Sequence, residues 1–341
     1  MTSLVGLTFR TVASSKMSGN PLLTVSSAVD YGRKPLVHRA VIVGGGLGGL
    51  SAAIQLRKIG IDAHVYDKYQ RLSGGEGTMI SIFPNGCKVL YHADPVILDK
   101  EKETAVVHFR KGDETISVNA PLVIGADGIH SITRNILFGA IPPRDNGRTM
   151  WRAVIDRSLC THEALVIGTL ASMQNGRTTF IINGVRDKLY WAFSVTDEST
   201  EGGTRIRSRD KEEAKERLLK YFEGWDVATH IIQVTDPELI LERRVLDVPV
   251  LPKWSSGRVV LLGDAVHAVT PSYGQGANLA FEDGLELAKQ LATSYDLRNA
   301  FEAYERARIP RASIISQKSQ SLGTRPTDEF YNWLYTDVPE V

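Results

Sequence analysis

The residues with the clearest chemical spacing are Gly44-Gly45-Gly46-Leu47-Gly48-Gly49, a G-x-G-x-x-G pattern. Glycines so placed allow a tight turn, a close approach of backbone to a pyrophosphate, and tight packing of the next helix on its strand. Asp67 stands twenty-three positions after Gly44, where a carboxylate can take the ribose hydroxyls of a dinucleotide. A second run, VVLLGDAVHAVTPSYGQGANLAFEDG at 259–284, sets Asp264 after apolar residues. Pro271 follows, then Gly274, Gln275 and Gly276 ahead of Ala277 and Asn278. An acid at a strand end suits a polyol, and the N–H groups of the next helix start suit an anion, so one elongated ligand can use both. Between these runs lies Gly125-Ala126-Asp127-Gly128, with Ser131 and Arg134 beyond. Asp127 reads two ways, as a helix-capping acid or as part of the same ligand site.

These residues need strands and helices to hold them. The apolar run Ala40 to Val43 predicts a strand buried on both faces, hence a parallel sheet. Leu47, Leu50, Ala53, Ile54 and Arg57 recur at helical spacing, Gly60 ends that helix, and Ala63 to Tyr66 predicts a second strand. Two alternating strands about a Gly112-Asp113 turn predict a β-meander, followed by a buried strand from Leu122 to Ile124. After about residue 141 the grammar changes to β-branched and aromatic strands, such as 178–182 and 189–195, which predict a separate, mainly antiparallel sheet. Asp210 and Glu213 form a capping box for a helix whose face is Ala214, Leu218, Leu219, Phe222 and Trp225. Trp151, Trp191 and Trp254 are read as core filler. The fold class is α/β, α+β overall: a Rossmann-like domain over 38–140 and 255–325, interrupted by a substrate domain over 141–254. A dinucleotide resting on Gly44 to Gly49 extends along the sheet to Asp264. Its polyol is ribityl on this reading, so FAD fits better than NAD.

Gly44 to Gly49, Gly125 to Arg134 and Gly263 to Asp283 resemble the three motifs of the class A flavoprotein monooxygenases, the para-hydroxybenzoate hydroxylase superfamily. Its urate hydroxylase, salicylate hydroxylase and zeaxanthin epoxidase types are the nearest in pattern. The likeness runs over roughly residues 38 to 320, including YERARIPRA at 304–312. It implies FAD with Gly44, Gly46, Leu47, Gly48 and Gly49 at its pyrophosphate, Asp67 at the adenosine ribose and Asp264 on the ribityl chain. Asp127 belongs by resemblance to a motif serving both FAD and NADPH. Pro271 and Gly274 to Asn278 support the isoalloxazine, with His267 and Tyr273 near it. The implied reaction uses NADPH or NADH, reduces the flavin, adds O2 at flavin C4a and hydroxylates or epoxidises a small organic substrate. No protein nucleophile is needed, and no catalytic side chain is nominated. The substrate pocket is expected between the antiparallel sheet and the flavin ring.

One feature departs from the pattern. Asn85 to Asp127 spans forty-two positions, where the family has roughly a hundred, and residues 86–106 hold no arginine to reach the flavin. This internal deletion leaves two alternatives open beside an active enzyme: a catalytically silent or misfolded flavin-binding isoform, and a flavin-dependent reductase on the same scaffold.

Composition narrows the class further. With 43% hydrophobic and 23% charged residues the chain can bury a large core, and a net charge of +1 without a basic block disfavours nucleic acid. Cys87 and Cys160 have neither metal-ligand nor disulfide spacing, and no run is long enough to span a bilayer. Residues 1–37, rich in Ser and basic residues with Asp30 the single acid, read as a plastid transit peptide or a disordered tail, with a cytoplasmic location as the alternative. No heptad seam points to an oligomeric state.

Overall fold

The computed structural model describes residues 34–67, 82–83, 85, 105–111, 114–165, 168–174, 176–185, 187–196, 210–320 and 327–336. The expectations for residues 1–33, for Cys87 and for the Gly112-Asp113 turn lie outside them. Contacts divide the chain into two compact units, with joins at Arg144/Asp145 and Val245/Leu246.

The first unit opens with β1 (Arg39–Val43), α1 (Leu47–Lys58) and β2 (Asp62–Tyr66). It continues through the hairpin β3 (Ala105–Lys111) and β4 (Glu114–Ala120) to β5 (Leu122–Gly125) and α2 (Ile132–Phe138). The intervening unit carries β6 (Arg144–Asp156), β7 (Gly168–Gln174), β8 (Arg177–Val185) and β9 (Lys188–Thr196). Helices α3 (Lys211–Tyr221) and α4 (Asp226–Val234) and strand β10 (Leu241–Asp247) complete it. The chain then returns through β11 (Ser255–Ser256), β12 (Val259–Leu261), α5 (Asp264–His267), α6 (Gly276–Thr293), α7 (Leu297–Gln320) and α8 (Asp328–Thr336).

The first sheet runs β11-β12-β5-β1-β2, parallel except for β11. Its central strands are buried apolar runs, as a sheet covered on both faces requires. Val41, Ile42, Val123 and Ile124 are all within 3% of full burial. The predicted strands are present, but α1 turns a different face inward. Ala52, Ala53 and Leu56 are buried, whereas Leu47, Leu50, Ile54 and Arg57 are half-buried. Small residues win that face because α1 packs against α6 at close range: a side chain on Gly284 would stand 3.1 Å from the Ala52 backbone. The predicted meander is a two-stranded sheet of its own, paired from Ala105↔Ala120 to Lys111↔Glu114.

The second sheet is antiparallel where its registers are set, in order β10-β6-β9-β8-β7. Trp151, Ala153, Ile155, Leu189, Trp191, Phe193 and Val195 alternate along β6 and β9 and pack with Leu218, Phe222, Ile231 and Ile232. Asp210 caps α3 by accepting from Glu212 N and Glu213 N. The helical face drawn from the sequence ran on to Trp225, but the helix stops at Phe222. Gly224 takes φ +79, a left-handed geometry suited to glycine, and Trp225 caps the separate helix α4.

Segment Leu246–Trp254, placed by the sequence in the 141–254 domain, packs with the parallel sheet. Asp247 accepts a two-pronged bond from Arg144 at 2.8 and 3.0 Å and one from Gln320 at 2.8 Å. Val248 N donates to Ala268 O, and Trp254 is fully buried beside His267 and Tyr304. Among the described residues no helix is long and apolar enough to cross a membrane.

Candidate active site

Register brings the three sequence motifs to one edge. Val43 is level with Tyr66 on β2 and with Gly125 on β5, and Gly125 is level with Leu261 on β12. Each motif starts where its strand stops, so all of them emerge side by side at the carboxyl ends of parallel strands, where open α/β sheets bind ligands. Backbone bonds fix the exits: Gly44 N to Tyr66 O at 2.8 Å, Ala126 N to Val43 O at 2.8 Å and Leu262 N to Gly125 O at 3.0 Å.

Within the first motif the glycines have different jobs. Gly44 takes φ +111, and a Cβ there would meet Ala126 O at 2.3 Å. A Cβ on Gly49 would meet Gly44 O at 2.0 Å, and one on Gly48 would meet Leu262 and Ala280 at 3.0–3.1 Å. These positions make the turn and the close helix packing. Gly46 is different: nothing among the described residues lies within 4 Å of where its Cβ would stand. It caps α1, no side chain caps the helix, and the first turn carries no acid. The unpaired N–H groups of that turn therefore face open space suited to an anion. Asp67 is exposed and accepts Gly45 N at 2.6 Å, which ties the acid to the turn. A pyrophosphate fits this arrangement, because only an absent side chain at Gly46 leaves room for it.

In the second motif Asp127 has both oxygens engaged at the start of α2. Oδ1 accepts from Ser131 at 2.5 Å, and Oδ2 from Ile132 N, Thr133 N and Thr133 Oγ1 at 2.8–3.0 Å. Ser131 is the cap of α2, accepting Arg134 N at 2.9 Å, and Asp127 takes two further N–H groups of the first turn. Arg134, 1% exposed, donates to the carbonyls of Ile129, Ile141 and Ala265 at 2.9–3.0 Å. Through Ala265 it ties the second motif to the third. Burial holds its pKa below the usual arginine range, with nearby Asp127 opposing the shift.

The third motif begins at Gly263, with Asp264 exposed at the start of α5. Its carboxylate opens to solvent although protein atoms crowd it; the crowding pushes its pKa up, His267 opposes this and Asp283 adds to it. Accessibility is what decides whether a ligand hydroxyl can reach it. Pro271–Tyr273 form a 3-10 turn, Gly274 takes φ +64, and α6 starts at Gly276 with Gln275 as its cap. Ala277 is half-buried in the first turn of α6. Asn278 accepts Phe83 N at 2.9 Å and donates to Gly274 O at 3.0 Å, while Gln275 accepts from Asn85 at 2.9 Å. Those two amides hold the turn; the donors left for a ligand are the backbone N–H groups of the helix start.

Beneath this turn lies a buried charge network that sequence reading missed. Asp283 accepts from His267 Nε2 at 2.5 Å, Arg308 Nε at 2.8 Å and Gly263 N at 2.9 Å. Glu282 receives Arg308 at 2.7 Å, Arg311 at 2.6 and 2.9 Å and Asn85 at 2.7 Å. His267, expected near the flavin, is 1% exposed and serves here. The signals were adjacent acids in an otherwise apolar stretch, AFEDG, and arginines three apart in RARIPR. Tyr273 is half-buried beside Phe330, with ring centroids 5.5 Å apart.

The network sets a pH dependence. Burial favours the neutral carboxyl of Asp283, but His267 and Arg308 outweigh it and hold the pKa at about 2. Its contribution is therefore complete above the unfolded value of about 3.9 and lost as pH falls through about 2. Burial opposes charge on His267, yet Asp283 raises its pKa above the usual 6.5. That contribution is complete below about 6.5 and lost as pH rises through the raised value. Urea midpoints are expected to fall from pH 4 towards 2 and to decline above neutrality. Flat midpoints on the acid side would show that Asp283 is not held charged.

The comparisons agree with this geometry. The FAD binding domain family model matches residues 85–319, and an NAD(P)-binding Rossmann-like domain model matches 42–93. Zeaxanthin epoxidase, chloroplastic, from Oryza sativa subsp. japonica is 33% identical over 237 residues, 66% of this chain and 34% of that protein. The chain thus spans about a third of the length of that relative. Aurachin C monooxygenase/isomerase from Stigmatella aurantiaca is 28% identical over 86% of this chain and 82% of its own. Among solved structures, Klebsiella pneumoniae HpxO complexed with FAD and uric acid matches with TM-score 0.68 at 22% identity, covering 83% of this chain and 87% of that one. The 2,6-dihydroxypyridine-3-hydroxylase from Arthrobacter nicotinovorans matches at TM-score 0.70 and 18% identity, covering 90% and 98%. With the motifs level at one sheet edge and the FAD binding domain model spanning most of the chain, this chain belongs to the FAD binding domain family of class A flavoprotein monooxygenases.

Proposed function

We propose that the protein is an FAD-dependent enzyme that uses NADPH or NADH and O2 to hydroxylate or epoxidise a small organic substrate. The observation that carries this reading is the shared edge, where Gly44–Gly49, Asp67 and Asp264 follow level strand ends, with Gly276 at the start of α6 so close that a Cβ there would stand 3.8 Å from the Asp264 carboxylate. Bound there, FAD accepts hydride and activates oxygen; the protein supplies position, dryness and electrostatics. Gly46 and the α1 N-terminus hold the pyrophosphate, Asp67 the adenosine ribose and Asp264 the ribityl hydroxyls. Pro271 and Gly274–Asn278 back the isoalloxazine, with the α6 N-terminus offsetting negative charge by up to ~1–2 kcal/mol. Asp127 acts through the loop it caps. Similarity to proteins named as monooxygenases and epoxidases supports oxygen insertion. Similarity to chloroplastic zeaxanthin epoxidases supports a plastid location.

The short interval after Asn85 favours one second reading, a flavin-binding isoform that is catalytically silent. The visible spectrum of the purified protein, before and after anaerobic NADPH, separates them. Oxidised-flavin absorption that bleaches with NADPH and returns with O2 is expected of the enzyme. Flavin that stays oxidised is expected of the silent isoform, and a colourless protein that FAD cannot reconstitute would overturn both.

A further inference from the structure

We infer that His267 is a positioning residue of the flavin site: through Asp283 it fixes both ends of the turn that carries Asp264, so that FAD affinity follows the charge on a buried histidine. This rests on the flavin reading above and adds a regulation of that site by pH. The turn is short. Gly263 takes φ +60, and Asp264–His267 make one turn of helix, closed by Val266 N and His267 N on Gly263 O at 3.0 Å. Its two ends meet on one atom. Oδ2 of Asp283 accepts Gly263 N at 2.9 Å from the start of the turn and His267 Nε2 at 2.5 Å from its end. The other oxygen, Oδ1, accepts Arg308 Nε at 2.8 Å. Asp264, exposed between the two tethers, is thus aimed by a carboxylate on α6.

A histidine in that place can change the strength of its tether. Charged, it gives Asp283 a hydrogen bond about twice as strong as the neutral ring does. The charged groups around it are Asp283 on α6, Arg308 on α7 and Asp264 on its own helix. Trp254 lies 5.1 Å away between ring centroids, and beyond it stands Tyr304, whose phenol burial pushes well above its usual pKa, so both rings are neutral. Burial works against the imidazolium and Arg308 adds to this, whereas Asp283 outweighs them and raises the pKa. Glu282 and Asp283 are already matched by Arg308 and Arg311, so the imidazolium adds a positive charge that Asp264 offsets from the solvent side. In return His267 favours the charged form of Asp264, the form that best accepts ligand hydroxyls. Among the described residues the buried Nδ1 has no partner, so a proton there has no acceptor of its own. The tether is strongest below the raised pKa and weakens as pH rises through it.

The test measures FAD affinity of the full chain by equilibrium dialysis from about pH 6 to about pH 9, with urea midpoints at each pH to show that the protein is folded. The parent is expected to bind FAD about ten-fold more weakly at the alkaline end. His267→Gln keeps a neutral N–H for Asp283 and cannot titrate, so its affinity is expected to be flat and to match the parent's alkaline value. His267→Leu has no donor and is expected to bind more weakly than His267→Gln at every pH. A role in packing alone would leave the profiles of the parent and His267→Gln parallel. A flat parent profile, a His267→Gln profile as steep as the parent's, or a folded His267→Leu protein that binds as tightly as the parent would overturn the inference. If His267→Leu does not fold, the first two outcomes still decide. A parent that takes up no FAD at any pH would instead sink the flavin reading, which keeps the two failures apart.

Discussion

An Arg308→Met variant is expected to lose about 3–5 kcal/mol of stability, the usual cost of removing one partner from a buried ion pair. Arg308 is 1% exposed and bridges Glu282 at 2.7 Å and Asp283 at 2.8 Å, both of them fully buried. Without it, Asp283 keeps, among the described residues, His267 and the Gly263 N–H, and Glu282 keeps Arg311 and Asn85. Two carboxylates are then held in the interior with less than their full compensation. The melting temperature is expected to fall by roughly 10 °C, taking ~2–4 °C per kcal/mol for a chain of this size. Arg298→Met, which removes an exposed i,i+4 pair with Glu302, provides the control and is expected to change nothing measurable. An Arg308→Met protein as stable as the Arg298→Met one would mean that the network is not charged as drawn. The effect also reaches the site, because Asp283 accepts the Gly263 N–H immediately before Asp264.

What the sequence revealed and what it hid follow from the range of the interactions. The strand-turn-helix at Gly44–Gly49 was legible because glycine spacing and an apolar run are local signals. So was the start of α6, where Pro271 and Gly274 punctuate the chain. The level register of Val43, Gly125 and Leu261 was implied only by assuming one ligand for all three motifs. The inward face of α1 was drawn too far towards its large residues, because those mark a helix face in sequence, whereas the helix approaches Gly284 through Ser51 and Ala52 and, of the predicted set, buries Ala53. Asn85 and Glu282 lie 197 positions apart and bond at 2.7 Å, a pairing that no local pattern announces. That bond also bears on the short interval after Asn85. Its first described flank is docked in the buried network, and its far side continues through β3 and β4 into the central strand β5.

Gly46→Val and Gly49→Ala are expected to part company, and the contrast tests the site more sharply than either alone. At Gly46 a Cβ meets no atom of the described residues within 4 Å, and Val is expected to leave the fold intact. It fills the space in front of the α1 N-terminus instead, and FAD retention is expected to fall about 100-fold, equivalent to ~2.7 kcal/mol from lost charge-assisted bonds. At Gly49 the new Cβ would sit 2.0 Å from Gly44 O, and backbone at both ends of the contact must move. Overpacking of that kind costs ~1–3 kcal/mol, so Gly49→Ala is expected to lower the melting temperature as well as FAD content. Equilibrium dialysis against FAD and thermal melts of the apoprotein read the two quantities separately. If Gly46→Val keeps its FAD, the pyrophosphate does not approach α1 at that point, and the assignment of the first motif fails while the fold stands. If instead it melts early, Gly46 is part of the packing, and the distinction between a glycine that makes room for a ligand and one that makes room for the chain does not hold here.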